Sequence, residues 1–524
     1  MDEAARPSPD ADRGPAAERV RMGSPRGRWV LLTTVLGSGM AMLDGTVVNI
    51  ALPRIGADLD AGLSVLQWTV NAYLLTLAGL ILLGGALGDR FGRRRVFVVG
   101  VVWFALASLL CGLAWNSGAL IAARALQGVG GALLTPGSLA LIQATFHPDD
   151  RARAVGAWSG LGGVAAAVGP FIGGWLVDGP GWRWVFLLNL PLAALCVPVA
   201  LRHVPETRDP SAHGRFDAGG AALAALALGG ITYALIAAAE PDPGPAVAVA
   251  AVAGIVPAVA FVVRERRIAS PMLPLGIFRS RQFSAVNAVT LCVYAAFGGF
   301  FFLSVVQLQV VLGYSALAAG TALLPTTVLL LLLSARSGAL GRRIGPRLPL
   351  TAGPLLCAAG MLLMVRVGPG ASYPTAVLPA LLVLGCGMVL LVAPLTATVL
   401  ASVDVSRAGL ASGINNAVAR AAGLVAVAAL PLLSGMGEDA YRDPAAFDAS
   451  FRRAMVLCAA VLVVGAALAA ATVRRDVLAA GGTTAPEPQP AAPECRTHCA
   501  LSAPPLDPGG APRCPPPVDR SLPG

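Results

Sequence analysis

The fold of this chain is decided by a ten-residue stretch, GALGDRFGRR, which spans Gly85–Arg94. The stretch returns 253 positions later as GALGRRIGPR over Gly338–Arg347, with seven of the ten residues identical. Each copy joins the end of one long apolar run to the start of the next. Self-similarity of this kind predicts that the chain contains two copies of one structural unit.

The apolar runs beside these copies are long enough to cross a bilayer. Of the residues, 56% are hydrophobic and 13% charged, and the mean hydropathy is +0.72, far from the soluble average. A helix of about 20 apolar residues spans the hydrocarbon core at 1.5 Å per residue. We therefore predict an all-α polytopic membrane protein with fourteen transmembrane helices. Their predicted ranges are 29–52, 66–87, 96–114, 118–142, 154–177, 184–201, 218–238, 245–263, 284–308, 317–340, 348–366, 375–400, 408–434 and 454–473.

The repeat divides the chain, because its offset also maps helix 1 onto helix 9. We predict an N-terminal tail at 1–28, a six-helix half at 29–201, inserted helices 7 and 8 at 202–263, and a second six-helix half at 264–475. Residues 476–524 are Pro-rich and polar, which predicts a disordered tail. Repeated halves with a site between them are typical of transporters.

The distribution of positive charge predicts orientation rather than nucleic-acid binding. The net charge is +10 and every basic residue is Arg, but the arginines gather in short blocks between apolar runs. Arginine blocks of this kind resist translocation and stay in the cytoplasm. If the N-terminus is cytoplasmic, 26 arginines near the membrane lie inside and six outside. We therefore predict that both termini are cytoplasmic and that nucleic acid is not a partner.

Histidine and cysteine usage gives no sign of an enzyme. Six of the nine cysteines lie singly inside apolar runs, where a thiol behaves as a small hydrophobe, and all four histidines fall outside the predicted helices. A membrane enzyme would need a cluster of reactive side chains at one depth, so we predict no enzyme and no cofactor. The tail residues Cys495, His498, Cys499 and Cys514 form only a weak metal-binding pattern, and we predict no metal site.

Asp44 is the one carboxylate that we place inside an apolar run. A carboxylate is costly at that depth, so we interpret it as functional, with a helix-to-helix hydrogen bond as the structural alternative. Counting from the helix ends places Asp44 ~22 Å and Arg124 ~21 Å from the inner surface. The two opposite charges therefore reach one level, although Arg124 has the alternative of snorkelling to the outer interface.

Two motifs resemble the major facilitator superfamily. The stretch Gly85–Arg95 resembles the loop signature of that superfamily between helices 2 and 3. The runs Leu43–Pro53 and Gly181–Pro191 are similar to motifs of its fourteen-helix drug:proton antiporter branch, the QacA/EmrB-like multidrug efflux transporters. This resemblance covers residues 29 to about 475.

Two further motifs bear on the mechanism. Arg124–Gly130 in helix 4 resembles the proton-transfer motif of the superfamily, and Gly169–Gly174 in helix 5 resembles its antiporter motif. The resemblance implies a major facilitator fold and a proton-coupled efflux transporter that exports small amphipathic organic molecules or antibiotics by alternating access. It implies a small-molecule substrate, protons and the lipid bilayer as partners, a monomer, and a bacterial inner (plasma) membrane location. The alternative is a proton-coupled importer or a metabolite or peptide transporter of the same fold.

The resemblance and the polarity of the helices together assign candidate site residues. Proton coupling is assigned to Asp44 and Arg124, and the antiporter motif to Gly169, Pro170, Gly173 and Gly174. The gating loop is assigned to Gly85, Asp89, Arg90, Gly92 and Arg93, where Asp89 is implied to reach helix 13 in the outward-facing state. Candidates to line a substrate cavity are Asn49, Trp68, Asn71, Tyr73, Gln127, Gln307, Asn416 and Arg420.

The second half departs from the pattern of this branch. We find no Asp or Glu inside helices 9 to 14, so recognition of cationic substrates is not favoured over neutral or anionic ones. Arg420 in helix 13 has two interpretations: it meets an anionic or carbonyl-bearing substrate, or it is held by Asn415, Asn416 or backbone carbonyls.

Overall fold

The computed structural model describes residues 20–208, 217–240, 243–268, 271–404, 407–437, 443–475 and 477–480. Within these ranges there is no β-strand, and fourteen helices are long and apolar enough to cross a membrane. The predicted all-α polytopic fold is therefore confirmed. We number the helices in chain order as α1 Pro25–Asp58, α2 Leu63–Phe91, α3 Arg93–Gly112, α4 Ser117–Thr145, α5 Pro148–Asp178, α6 Arg183–His203, α7 Ala218–Ala237, α8 Pro245–Arg267, α9 Arg281–Val311, α10 Ala316–Ile344, α11 Arg347–Met364, α12 Tyr373–Ala401, α13 Ala408–Ser434 and α14 Pro444–Thr472.

Several predicted features lie outside the described residues. They are most of the N-terminal tail, nearly all of the C-terminal tail with Cys495, His498, Cys499 and Cys514, and the loop positions His213, Arg215 and Arg442.

The helices extend beyond the apolar runs because polar residues cap them. The side chain of Ser24 accepts a hydrogen bond from the Gly27 N–H (3.0 Å), and α1 begins at Pro25 rather than at 29. Asp443 caps α14 in the same way, so α14 begins ten residues before its predicted start at 454. The prediction that helices 9 to 14 contain no internal carboxylate is therefore wrong, because Asp448 lies inside α14.

The same helix packing occurs twice. In the first six helices, α1 packs on α5, α2 and α3 pack on α4, and α3 packs on α6. In the last six, α9 packs on α13, α10 and α11 pack on α12, and α11 packs on α14. The two copies of the loop motif also end their helices alike, since Gly92 (φ 113°) and Gly345 (φ 80°) both adopt the positive φ that glycine tolerates. We call these six-helix groups the N-terminal and C-terminal halves; the residue boundaries predicted for the domains remain predictions.

The inserted helices α7 and α8 pack on each other beside the two halves. Helix α7 contacts α2 and α13. In α8, by contrast, only 6% of the most apolar stretch is buried inside the protein. Asp217 caps α7 through the Gly220 N–H (2.8 Å) and pairs with Arg264 at the end of α8 (2.7 Å). Burial raises the pKa of Asp217, but the hydrogen bonds from Gly220 and Arg264 outweigh it and lower the pKa below its ordinary value. This pair joins α7 and α8 at the ends predicted to be cytoplasmic.

Polar contacts join the two halves at the ends predicted to face outside. The carboxylate of Asp178, at the end of α5, accepts hydrogen bonds from the N–H groups of Ala316 (3.2 Å) and Leu317 (2.8 Å) at the start of α10. Nearby, the Gln309 side chain donates to the Ile50 carbonyl (3.0 Å). A carboxylate at a helix N-terminus is favoured by both the free N–H groups and the helix dipole. We call this set of contacts the outer closure.

Helix α5 packs closely on α10 near its outer end. Pro170 and Gly174 of α5 contact α10, whereas a Cβ added at Gly156, Gly160 or Gly163, farther along the same helix, would meet no other atom within 4 Å. On the outer side, a depression of about 700 Å³ is lined by residues that include Pro53, Asp178 and Gln309. Pro53 lies nine residues, or ~14 Å, beyond Asp44 along α1. The outer depression therefore lies beside the contacts of the outer closure.

The outer closure should weaken when Asp178→Asn removes its charge. Spin labels would be attached at Trp175→Cys in α5 and Leu433→Cys in α13, in a cysteine-free background. Pulsed electron paramagnetic resonance would then measure the distance between the labels and hence the separation of the halves. We expect the outer-open fraction to rise about fivefold, because a charge-assisted hydrogen-bond pair is lost. Asp58→Asn is the matched control, since Asp58 contacts Trp182 within the N-terminal half. An equal rise in both variants, or no rise for Asp178→Asn, would contradict the assignment.

Candidate functional site

An ion pair between α1 and α4 lies at the centre of the N-terminal half. Asp44 Oδ2 accepts a hydrogen bond from Arg124 Nη1 at 2.6 Å, and both residues are buried, with 2% and 1% exposure. The counting of helix levels placed these two side chains at one depth, and the structure brings them into contact. Snorkelling of Arg124 to the outer interface, the alternative interpretation, does not occur.

Further hydrogen bonds fix the geometry of this pair. Gln127 lies one turn from Arg124; its Nε2 donates to Asp44 Oδ1 (2.7 Å) and its Oε1 accepts from Arg124 Nη1 (2.6 Å). Arg124 Nε donates to the backbone carbonyl of Thr69 in α2 (3.0 Å). Both carboxylate oxygens therefore have donors, which offsets the cost of holding a charge away from water. Gln127, predicted as a cavity residue, is instead the bridge within the pair.

Neighbouring aromatic and polar groups complete the arrangement. The Arg124 guanidinium lies 4.4 Å from the ring centroid of Tyr73, a cation–π contact. Gln127 Nε2 also approaches Ser108 Oγ (2.7 Å), which accepts from Asn189 Nδ2 (3.2 Å). We call this set the Asp44 cluster; it comprises Asp44, Thr69, Tyr73, Ser108, Arg124, Gln127 and Asn189. Nothing in the sequence distinguished Ser108, which is one hydroxyl inside an apolar run.

The antiporter-type motif of α5 is a close-packing surface. The Cα atoms of Gly169 and Gly173 lie so close to Thr46 and Val47 of α1 that an added Cβ would overlap their side chains. Gly174, on another face, is equally close to the backbone at the start of α10. Small residues allow helices to approach this closely in lipid. The motif therefore joins α1, two residues beyond Asp44, to the outer closure.

The three asparagines predicted to line a cavity differ in their exposure and in their hydrogen bonds. Asn49 and Asn416 are partly exposed and bond only to carbonyls of their own helices, those of Gly45 (3.2 Å) and Ser412 (3.1 Å). Asn71 is fully buried, and its amide has no hydrogen-bond partner among the described residues.

Two candidates do not lie at the Asp44 cluster. Trp68 lies beside Tyr233 of the inserted helix α7, with ring centroids 6.1 Å apart. Gln307 is buried near the outer end of α9, where it donates to Asp448 (2.7 Å) and to the Val367 carbonyl (2.7 Å). Their assignment to a substrate cavity stays a prediction, because a sequence shows the depth of a side chain but not the side of the helix that it occupies.

Asp448 is a further buried carboxylate, and the sequence analysis missed it. It pairs with Arg452 one turn along α14, at 2.8 Å, and accepts the Gln307 amide. Its partners all belong to the C-terminal half, near the outer surface. Because Arg452 is half-exposed, this pair is less isolated from water than the Asp44 cluster.

The loop between α2 and α3 is held by local contacts. Arg93 pairs with Asp89 at 2.7 Å, and its backbone N–H donates to the Thr207 carbonyl (2.9 Å). Gly92 leaves room for the carboxylate of Glu206, which would overlap a Cβ at that position. Among the described residues, Asp89 does not contact α13. The contact of Asp89 with helix 13, which the family resemblance implies for the outward-facing state, stays a prediction.

Comparison with known proteins shows one family. A family model described as Major Facilitator Superfamily matches residues 34–428. The chain is 37% identical over 439 residues to the puromycin resistance protein of Streptomyces alboniger, covering 83% of this chain and 87% of that protein. It is 37% identical over 435 residues to a probable actinorhodin transporter of Streptomyces coelicolor, covering 80% and 75%. A solved bacterial homologue of the human lysosomal transporter Spinster shares the fold, with a TM-score of 0.61 at 17% identity, covering 86% of this chain and 97% of that one.

Asp89→Asn should slow turnover about two- to fivefold without lowering the amount of protein in the membrane. The substitution removes a carboxylate that is available to α13 only when the cytoplasmic side closes, and it leaves the orienting arginines in place. Transport rates per folded molecule would be measured in vesicles. Asp149→Asn is the control, because Asp149 is an exposed cytoplasmic-side carboxylate that pairs with Arg21 at 3.2 Å. Unchanged turnover in Asp89→Asn would leave the loop with orientation as its only role.

Proposed function

The chain belongs to the Major Facilitator Superfamily, and we propose that it exports small amphipathic organic molecules or antibiotics in exchange for protons. The relatives named for puromycin resistance and actinorhodin transport support export. Cross-membrane exchange fits a chain of fourteen membrane-spanning helices whose two halves are joined by hydrogen bonds at the ends predicted to face outside. The proposed carrier has no enzymatic activity and no cofactor.

The observation that carries proton coupling is the isolation of the Asp44 cluster. The Asp44 carboxylate is 2% exposed, and both of its oxygens accept hydrogen bonds from buried side chains. Protonation of Asp44 would remove the charge that Arg124 neutralises and to which Gln127 donates, and so would change the partners that those side chains need. One proton is therefore able to shift the balance between two arrangements of α1 and α4.

A continuous packing path leads from Asp44 to the outer closure. Thr46 and Val47 follow Asp44 on α1 and contact the α5 glycines. Helix α5 then ends at Asp178, which binds the start of α10 in the other half. We propose that a shift of α1 on protonation moves α5 and alters this closure. The halves then alternate about a central cavity, and substrate leaves outward.

The setting of the carrier follows from its charge distribution. We propose a bacterial inner membrane location with both termini in the cytoplasm, because the arginine blocks lie at the ends that would face inward. We also propose that the carrier works as a monomer, since both halves and the Asp44 cluster come from one chain. The division into halves, inserted helices and tails predicted from the sequence is part of this proposal.

Asp44→Asn should abolish efflux driven by a pH gradient while the protein still folds. Asparagine keeps the size of the side chain but carries no exchangeable charge, so a proton gradient has nothing to act on. Inverted vesicles with an imposed pH gradient, incubated with actinorhodin, would measure uptake that corresponds to export. Exchange of substrate in the absence of a gradient should persist.

Asp448→Asn is the matched control, because Asp448 is also buried and paired with an arginine but lies outside the cluster. It should keep gradient-driven transport. Gradient-driven uptake by Asp44→Asn would refute the coupling role. Flux in the opposite direction in the unmodified protein would instead identify an importer of the same fold.

A further inference from the structure

Arg420 lies near the middle of the membrane-spanning helix α13. It is 12 residues from Ala408 and 14 from Ser434, or ~18 Å and ~21 Å from the two helix ends. A guanidinium stays charged at every physiological pH. At this depth such a charge is costly unless it pairs with a group or faces a water-filled cavity. The surroundings of Arg420 therefore indicate what it binds.

Within the part of the chain that the structure describes, no carboxylate pairs with Arg420. Asn415 directs its amide to Asn287 (3.2 Å) and Thr290 (2.9 Å) of α9, and Asn416 bonds to a carbonyl of its own helix. Across the described ranges, no hydrogen bond or ion pair reaches the guanidinium of Arg420, and its side chain is only partly buried. The interpretation that Asn415 or Asn416 holds this charge is therefore not supported.

The position of Arg420 is between the two halves. Helices α2 and α13 run antiparallel: Gln67 donates to the Val427 carbonyl (2.7 Å), and Leu82 lies against Gly413. This register places Arg420 opposite the middle of α2. Three residues along α13, a Cβ added at Gly423 would lie 3.9 Å from the Tyr294 carbonyl oxygen of α9, in the C-terminal half.

The charges of Asp44, Arg124 and Arg420 do not cancel. Asp44 is neutralised by Arg124 at 2.6 Å, which leaves the charge of Arg420 without a counterpart. Helix α9, which packs on α13, carries a row of aromatic rings that begins at Tyr294, with Tyr294–Phe297 and Phe297–Phe301 centroids 6.2 Å and 6.4 Å apart. We propose that Arg420 binds an acidic group of the exported molecule, and that the substrates are aromatic organic anions, carboxylates or phenolates.

The chemistry of this site suits such a ligand. A guanidinium offers parallel N–H donors to a carboxylate and also stacks on aromatic faces. The aromatic row of α9 offers edge-to-face contacts to a planar ring system. Together these groups select for an anion attached to a flat apolar body. This inference rests on the proposed export function, but its test requires no proton gradient, so the two fail separately.

Binding of two dyes that share a xanthene ring would test the inference. Fluorescein is anionic and rhodamine 123 is cationic, and fluorescence polarisation would measure the Kd of each for the full-length protein in detergent. We expect fluorescein to bind at least about tenfold more tightly. Arg420→Gln should remove this preference by weakening fluorescein binding alone, and Arg420→Lys should restore part of it because the charge returns.

Arg336→Gln is the matched control, because Arg336 is also an arginine within a membrane-spanning helix of the C-terminal half. It should leave the preference for fluorescein unchanged. The proposal is overturned if the unmodified protein binds rhodamine 123 as tightly as fluorescein, or binds neither dye. It is also overturned if Arg420→Gln weakens both dyes equally, or if Arg336→Gln has the same effect as Arg420→Gln. Thermal unfolding of each variant would verify that the compared proteins are folded.

Discussion

The ion pair between Asp44 and Arg124 is the interaction on which the account of this protein depends. Two opposite charges at 2.6 Å, excluded from water, are stable only as long as both remain charged and bonded. Asp44 also accepts a hydrogen bond from Gln127. Arg124 donates a further hydrogen bond to the Thr69 carbonyl, and its guanidinium lies over the Tyr73 ring. A change of one proton therefore alters the requirements of a whole cluster, which spans α1, α2 and α4.

The helix packing around the ion pair connects a change at Asp44 to the outer closure. Glycines on α5 bring its backbone against α1 and against the start of α10, so α5 connects the N-terminal half to the outer closure. Because α5 contacts both α1 and α10 through small residues, flexible side chains cannot absorb a shift of α1. Such a shift therefore moves α5 against α10.

The sequence was sufficient for the helix count and for the depth of the charges, because both follow from the 1.5 Å rise and the thickness of a bilayer. It was insufficient where capping extends a helix: Asp448 was overlooked because Asp443 starts α14 ten residues before the apolar run. It was also insufficient for the direction in which a side chain points: Trp68 lies beside Tyr233 of α7, and Gln307 donates to the Val367 carbonyl. The inter-half contact of Asp178 had no local signal, since its partners are backbone groups more than a hundred residues away.

The central claim is that protonation of Asp44 changes the arrangement of the two halves. Its most direct test is the pH dependence of the distance between labels on the outer ends of α5 and α13, recorded without substrate or gradient. We predict that the ratio of outer-closed to outer-open molecules changes between pH 8 and pH 5 in the unmodified protein and does not change in Asp44→Asn. A ratio that responds to pH equally with and without the Asp44 carboxylate would contradict the account.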